Sequence, residues 1–232
     1  MKEYDIGIIG AMAAEVEKLI SMLEDREVER VSGIEFNTGS LYGKKIVVAR
    51  CGIGKVFAAI CAEAMILCFS PSLIVNTGVG GAVSGELRPL DIVFATRLCQ
   101  HDMDTSPLGD PKGLISGIDR IYFDTDKRAQ NVLSSAAVDL GIRYTEGIIA
   151  SGDRFIADAA DKEMVARNFS AVCCEMEGAA IAHTAFVNET PFMVVRAISD
   201  SANGDAQMDY MTFLPQAAEL STALTLALIK GY

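Results

Sequence analysis

Two short segments of this 232-residue chain concentrate charge where charge is costly. Cys174-Glu175-Met176-Glu177-Gly178-Ala179-Ala180 and Val194-Val195-Arg196-Ala197-Ile198-Ser199-Asp200 set three carboxylates and one arginine at the edges of apolar runs. Ionised groups in such places must be paired or must bind something. Asp200 closes its apolar strand, where a carboxyl beside a low-dielectric pocket can hold a proton and donate it. It also suits a cap or turn, because Ser201-Ala202-Asn203-Gly204-Asp205 reads as a loop. Glu175 and Glu177 flank Met176 at the expected start of a helix over 175–187. Residues two apart on a helix do not share a face. One of the pair can therefore accept from a vicinal diol on a ligand, while the other caps the helix or meets solvent. Arginine is rarely buried alone, so Arg196 is expected to meet Glu177 or Glu15.

Glu15 falls on the first turns of a helical pattern that follows directly on an apolar strand. Ligands of open α/β sheets bind beyond the carboxyl ends of the strands, so Glu15 can hold a water there. It can equally serve as favourable charge at a helix N-terminus, worth about 0.3–1 kcal/mol. Gly78-Val79-Gly80-Gly81-Ala82 and Gly52-Ile53-Gly54-Lys55 allow close approach of backbone to a ligand. Neither matches a dinucleotide fingerprint or a phosphate loop, and each also reads as a tight turn. Phe155, within Ser151-Gly152-Asp153-Arg154-Phe155-Ile156, can stack on a planar base or simply enter the core. Asp153 reads as a turn former. His101, in Gln100-His101-Asp102, has no nucleophile nearby and reads as structural.

The elements that must position these residues are Ile- and Val-rich runs at 6–9, 46–49, 73–75, 92–95, 147–150 and 192–198, which read as buried strands. Helical patterns lie between them at 13–23, 55–69, 126–140, 175–187 and about 210–230. Gly141 is a plausible C-cap for the third. Segments 34–41 and 45–50, joined at Gly43-Lys44, read as a hairpin, so the sheet is mixed. The expected fold is α/β: a three-layer α/β/α sandwich with a central mixed sheet flanked by helices, in one domain over 1–232. The stretch 100–118, rich in Asp, Gly, Pro and Ser, is long for a connection, and such loops are usually functional.

A net charge of −11 argues against nucleic acid and anionic membrane as partners. Six cysteines without a C-x-x-C pair, and only two histidines, argue against zinc. The acidic N-terminus, beginning Met1-Lys2-Glu3, carries no signal-peptide pattern. The C-terminal apolar run reads as too short and too interrupted to span a bilayer. A reducing cytoplasm fits this cysteine usage.

Singly these signals are weak; in combination and order they are specific. Gly7-Ile8-Ile9-Gly10-Ala11-Met12 with Glu15-Val16, Gly52-Ile53-Gly54-Lys55-Val56, Asn76-Thr77-Gly78, Ser151-Gly152-Asp153 with Phe155-Ile156, Glu175-Met176-Glu177 and Arg196-Ala197-Ile198-Ser199-Asp200 run along nearly the whole chain. The sequence resembles the 5′-methylthioadenosine/S-adenosylhomocysteine nucleosidases, within the purine nucleoside phosphorylase-like superfamily. The resemblance implies hydrolysis of the N-glycosidic bond of adenine thionucleosides, with no metal or organic cofactor, by a homodimer. It implies that Asp200 protonates adenine N7 and that Glu15 activates the attacking water. Glu177 would bind the ribose hydroxyls, Phe155 would stack on adenine, and the main chain of Ile156 would read its edge. Met176 would lie against the ribose, while Met12, Ile53 and Tyr210 would line the pocket for the 5′-substituent. Arg196 would order Glu15, Glu177 and water, and Gly80, Glu175 and Ser199 would border the substrate. Two positions depart from the family pattern. Val79 stands where a serine hydroxyl is expected near the water. Leu108 stands where the loop that reaches the neighbouring subunit's pocket usually carries an aromatic.

Two other functions compete. A phosphorylase on the same fold would need an anion site of arginines and main-chain N–H groups, and the first turn, with Glu15 beyond it, has no arginine. A nucleoside-binding protein without turnover would not need Glu15, Glu177 and Asp200 together.

Overall fold

The computed structural model describes residues 3–202 and 206–232. Met1 and Lys2, at the start of the acidic N-terminus, and Asn203 to Asp205, in the loop expected after Asp200, lie outside the described residues. In chain order the elements are β1 (Tyr4–Gly10), α1 (Ala13–Ser21), β2 (Glu24–Val31), β3 (Ile34–Leu41), β4 (Lys44–Arg50), α2 (Lys55–Phe69), β5 (Pro71–Ala82) and β6 (Ile92–Gln100). They continue with β7 (Phe123–Asp124), α3 (Lys127–Asp139), β8 (Tyr144–Ser151), α4 (Ala159–Phe169), β9 (Ala171–Glu175), α5 (Gly178–Val187), β10 (Phe192–Asp200) and α6 (Ala206–Gly231).

The strands form one mixed sheet in the order β10-β6-β8-β9-β5-β1-β4-β3-β2, with β7 beside β6. β10 also pairs with β5, in parallel from Phe192–Ile74 to Asp200–Gly81. Half of the sheet therefore closes on itself, and the long strand β5 is shared between the closed part and the open wing. Ile and Val side chains on one face pack with α2 and α5. Those on the other pack with α1, α3 and α6, and α4 covers a third cluster over β8 and β9. This is the three-layer arrangement expected.

Several local expectations are corrected. The helix expected from Glu175 starts at Gly178, because Glu175 ends β9 and its carboxylate accepts the free N–H groups of Glu177 (3.1 Å) and Gly178 (2.8 Å). The glycine-rich segment 78–82 is not a turn; it is the second half of β5. The exposed strand β2, Glu-Asp-Arg-Glu-Val-Glu-Arg-Val, has no apolar run to reveal it. Asp153 does lie in a bend, after β8, and in addition caps α2, its Oδ1 accepting from Lys55 N at 2.7 Å. The C-terminal helix α6, 26 residues, is long and apolar enough to cross a membrane. That corrects the expectation from the sequence, yet its Ala217, Ala218, Leu224, Leu228 and Ile229 are buried in the core.

Candidate active site

The carboxyl ends of β1, β5, β9 and β10 converge on a cavity of about 260 Å³. Glu15 enters it from α1. Its Oε2 accepts the amides of Ala11 (2.8 Å) and Met12 (2.9 Å), and its Oε1 accepts that of Val79 (3.1 Å). Burial pushes its pKa up; the Arg196 charge and these amides oppose that without cancelling it. The glycines of β5 are explained by this crowding. A Cβ at Gly78 would stand 2.5 Å from Glu15 Oε1, and one at Gly81 would stand 2.8 Å from Asp200 Oδ2. The strand thus gives up side chains to admit two carboxylates. Gly78 and Gly81 are three residues apart, so the carboxylates meet β5 roughly 10 Å from one another along the strand.

Glu175 and Glu177 have separate environments. Glu175 pairs with Arg196 and accepts from Ser151 Oγ as well as from the two amides at the start of α5. Burial works to raise its pKa, but the Arg196 charge and these bonds prevail and hold it below the usual carboxylate range. Glu177 receives one hydrogen bond, from Gly54 N at 2.8 Å. Burial, and next the charge of Glu175, push it up to about 7. Gly54 holds φ +100, so the Gly52–Gly54 turn is tight, as one reading of the sequence had it, and it aims an amide at the site.

Arg196 is fully buried beneath the cavity rather than in its wall. It pairs with Glu175, not with Glu15 or Glu177 as expected from the sequence, and donates to Asn76 Oδ1 and to the carbonyls of Asn76 (3.2 Å) and Val195 (3.0 Å). Asn76 is anchored in turn by Nδ2 donating to Ile9 O at 2.9 Å. Asp200, at the end of β10, is bracketed by Ser199 Oγ (2.9 Å to Oδ1) and Lys162 Nζ (2.7 Å to Oδ2). Lys162 was not foreseen. Its signal was readable: Lys162, Val165 and Phe169 occupy one helical stripe of α4, and all three are buried.

Apart from Arg154, which pairs with Asp161, the remaining wall is largely apolar. Met12, Ile53, Val79, Gly80, Ile156 and Met176 border the cavity together with Phe155 and Tyr210. The Phe155 and Tyr210 rings meet edge-to-face at 5.6 Å, and Tyr210 Oη lies 3.2 Å from Met12 Sδ. Val79 contributes its backbone N–H to Glu15 despite lacking a hydroxyl. Leu108 sits on a 3₁₀ turn, 84% exposed, away from this cavity. His101 packs against Gly152, and burial pushes its pKa down. Among the described residues no cluster of three or more His, Cys, Asp or Glu could hold a metal ion.

Residues 5–230 match the model of the phosphorylase superfamily. The 5′-methylthioadenosine/S-adenosylhomocysteine nucleosidase of Shewanella loihica is 37% identical over 227 residues, covering 97% of this chain and 98% of that one. The chain belongs to this nucleosidase family. Its fold superposes on the Neisseria meningitidis nucleosidase in complex with methylthio-immucillin-A, with a TM-score of 0.94, 33% identity and full coverage of both chains. It matches a futalosine hydrolase of Helicobacter pylori equally well, at a TM-score of 0.94 and 32% identity, covering 100% of this chain and 98% of that one. Membership in the nucleosidase family makes the chain an enzyme of the hydrolase class.

Proposed function

We propose that this single-domain enzyme hydrolyses the N-glycosidic bond of 5′-methylthioadenosine and S-adenosylhomocysteine, and of related 5′-modified adenosines such as 5′-deoxyadenosine. The products are adenine and a 5-thioribose, which suits methionine salvage and recycling of by-products of S-adenosylmethionine. Asp200 protonates the leaving adenine at N7, and Phe155 stacks on it while the Ile156 main chain reads its edge. Glu177 takes the ribose hydroxyls and Met176 lies against the sugar. Glu15 holds and deprotonates the attacking water. Met12, Ile53 and Tyr210 receive the 5′-substituent, an apolar surface suited to a thioether. Glu175 and Arg196 keep the carboxylates in place from below, Ser199 holds Asp200, and Gly80 leaves room for the sugar.

One observation carries hydrolysis over phosphorolysis. The amides of Ala11, Met12 and Val79, which could cradle a phosphate, are all spent on the Glu15 carboxylate. A carboxylate there repels phosphate and suits water. The charge balance supports the same chemistry. Burial raises the pKa of both Glu15 and Glu177, and among the described residues neither is paired directly with a positive charge. A ribosyl centre that becomes cationic as adenine departs supplies it, and fixed charges aimed at a transition state are commonly the largest catalytic contribution. The test is adenine release from both nucleosides with and without phosphate. Equal rates and free thioribose are expected. A strict phosphate requirement, or wild-type release no faster than that of Asp200→Asn, overturns the reading.

The enzyme works as a homodimer in the cytoplasm on this reading, needs no cofactor, and binds neither nucleic acid nor membrane. In support of the dimer, α2 exposes Val56, Phe57, Ile60 and Leu67, and α5 exposes Val187 beside them. Solitary exposed apolar residues are ordinary, but a contiguous patch marks an interface. Leu108, exposed on its loop, is then free to reach the neighbouring subunit's pocket. Sedimentation of the wild type and of Ile60→Asp tests this: a dimer that becomes a monomer is expected, and a wild-type monomer refutes it. The free cysteines support a reducing compartment.

A further inference from the structure

Lys162 is the least expected residue near the site. Its side chain is 1% exposed, on a helix that does not line the cavity. A buried ammonium must find partners, and this one finds two on the same strand end: Asp200 Oδ2 at 2.7 Å and the Ser201 carbonyl at 2.6 Å. The other carboxyl oxygen, Oδ1, lies 2.9 Å from Ser199 Oγ, which is also 3.3 Å from the Gly80 carbonyl. A serine hydroxyl has one hydrogen, so it cannot donate to both acceptors at once. When Oδ1 carries a proton, that O–H can donate a hydrogen bond to Ser199 Oγ while Ser199 donates to Gly80, and in the acid step the same proton passes from Oδ1 to the base. When Oδ1 is bare, Ser199 turns back to it. Oδ2, meanwhile, is held by Lys162 in both arrangements. Asp200 sits where β10 pairs irregularly with β5, between Ile198 and Asp200. The strand therefore leaves the direction of this carboxyl to its side-chain partners.

We propose that Lys162 is a positioning residue for the acid step: it clamps Asp200 and the following carbonyl so that the carboxyl keeps one edge toward the leaving base. This rests on the proposed role of Asp200. The clamp acts on departure of the base and not on binding of the sugar or of the 5′-group. Loss of Lys162 is thus expected to lower kcat and leave KM nearly unchanged.

The test compares two substrates of wild type, Lys162→Met, Lys162→Gln and Lys162→Arg. One is 5′-methylthioadenosine, whose base leaves only when protonated. The other is the 4-nitrophenyl glycoside of 5-methylthioribose, whose leaving group departs as a stable anion without an acid. For Lys162→Met and Lys162→Gln, kcat on the nucleoside is expected to fall about 10- to 100-fold, a part of the roughly 10²–10⁴-fold that a general acid contributes. The nitrophenyl glycoside should lose less than threefold. Lys162→Arg, which keeps charge and donors, should restore much of the nucleoside rate. In an Asp200→Asn background Lys162→Met should cost nothing more. An equal loss on both substrates means a merely structural lysine and overturns the proposal, as does no loss on either. If Lys162→Met does not fold, Lys162→Gln and Lys162→Arg carry the same comparison. Wild-type enzyme that splits neither substrate would instead sink the functional reading itself.

Discussion

Glu177 should cost the protein stability that its activity requires. Burial and the charge of Glu175 raise its carboxyl from the usual 4.5 to about 7. At about 1.4 kcal/mol for each pH unit, ionising it in the unliganded fold costs on the order of 3 kcal/mol. The direction in pH follows from proton counts. Between about 4.5 and 7 the folded protein holds a proton on Glu177 that the unfolded chain has released. Stability associated with that proton is complete below pH 4.5 and is lost as pH rises through 7. Glu177→Gln keeps an acceptor for Gly54 N and removes the charge. At pH 8 it should raise Tm by about 6–12 °C, given roughly 2–4 °C per kcal/mol for a chain of this size. At pH 5 the gain should nearly vanish, and turnover should be lost at both. Calorimetry across this pH range, paired with adenine release, measures all three. A Glu177→Gln protein that is no more stable than wild type at pH 8, or whose gain does not shrink with acid, refutes the electrostatic reasoning. A stabilised but fully active variant would remove Glu177 from the chemistry.

Glu15→Gln should keep the fold, because its amide oxygen can still accept from Ala11 N and Met12 N, at the cost of an NH2 group facing Val79 N, but adenine release should fall about 10²–10⁴-fold with little change in KM. Arg196→Met strands Glu175 as an unpaired buried charge. It should destabilise by about 3–5 kcal/mol, measurable in urea, with recovery on adding Glu175→Met but no recovery of activity. Phe155→Ala removes one face of the base site, a ring that is half-exposed in the free protein. KM should rise about threefold to tenfold, in keeping with roughly 0.5–1.5 kcal/mol for a stacked ring pair, while kcat stays close to wild type.

Legibility in the sequence tracked how far a residue's role depends on its immediate neighbours. Helix α2 was bounded correctly at Lys55 and Phe69, since Gly54 opens it and Pro71 follows it. The hairpin of β3 and β4 was equally plain, although it turns at Tyr42-Gly43 and Lys44 already belongs to β4. The glycines of β5 were misread as a turn because local propensity weighs against glycine in strands. Their reason, room for Glu15 and Asp200, is visible only when distant segments meet. Strand β2 escaped because it lies at the sheet edge and buries almost nothing. Glu175 and Glu177 were both identified, yet their division depended on which one Arg196 reaches across the sheet. The stripe of Lys162 with Val165 and Phe169 was readable, but its partner, 38 residues away, was not.

The commitment of Arg196 explains why these carboxylates behave differently. Arg196 is committed to Glu175 and Asn76, so its charge reaches Glu15 and Glu177 only through space. Arg154, which lines the cavity, is paired with Asp161; a cation placed against Glu15 and Glu177 instead would settle both carboxylates and stabilise the free protein. It would also weaken the field felt by a developing ribosyl cation and would offer a foothold to phosphate beside Glu15. On the proposed mechanism each consequence is harmful, one to the rate and the other to the choice of water as nucleophile. The positive charge is therefore better withheld until the substrate brings it. The raised carboxyls are then the expected signature of a site matched to the transition state rather than to its own resting state.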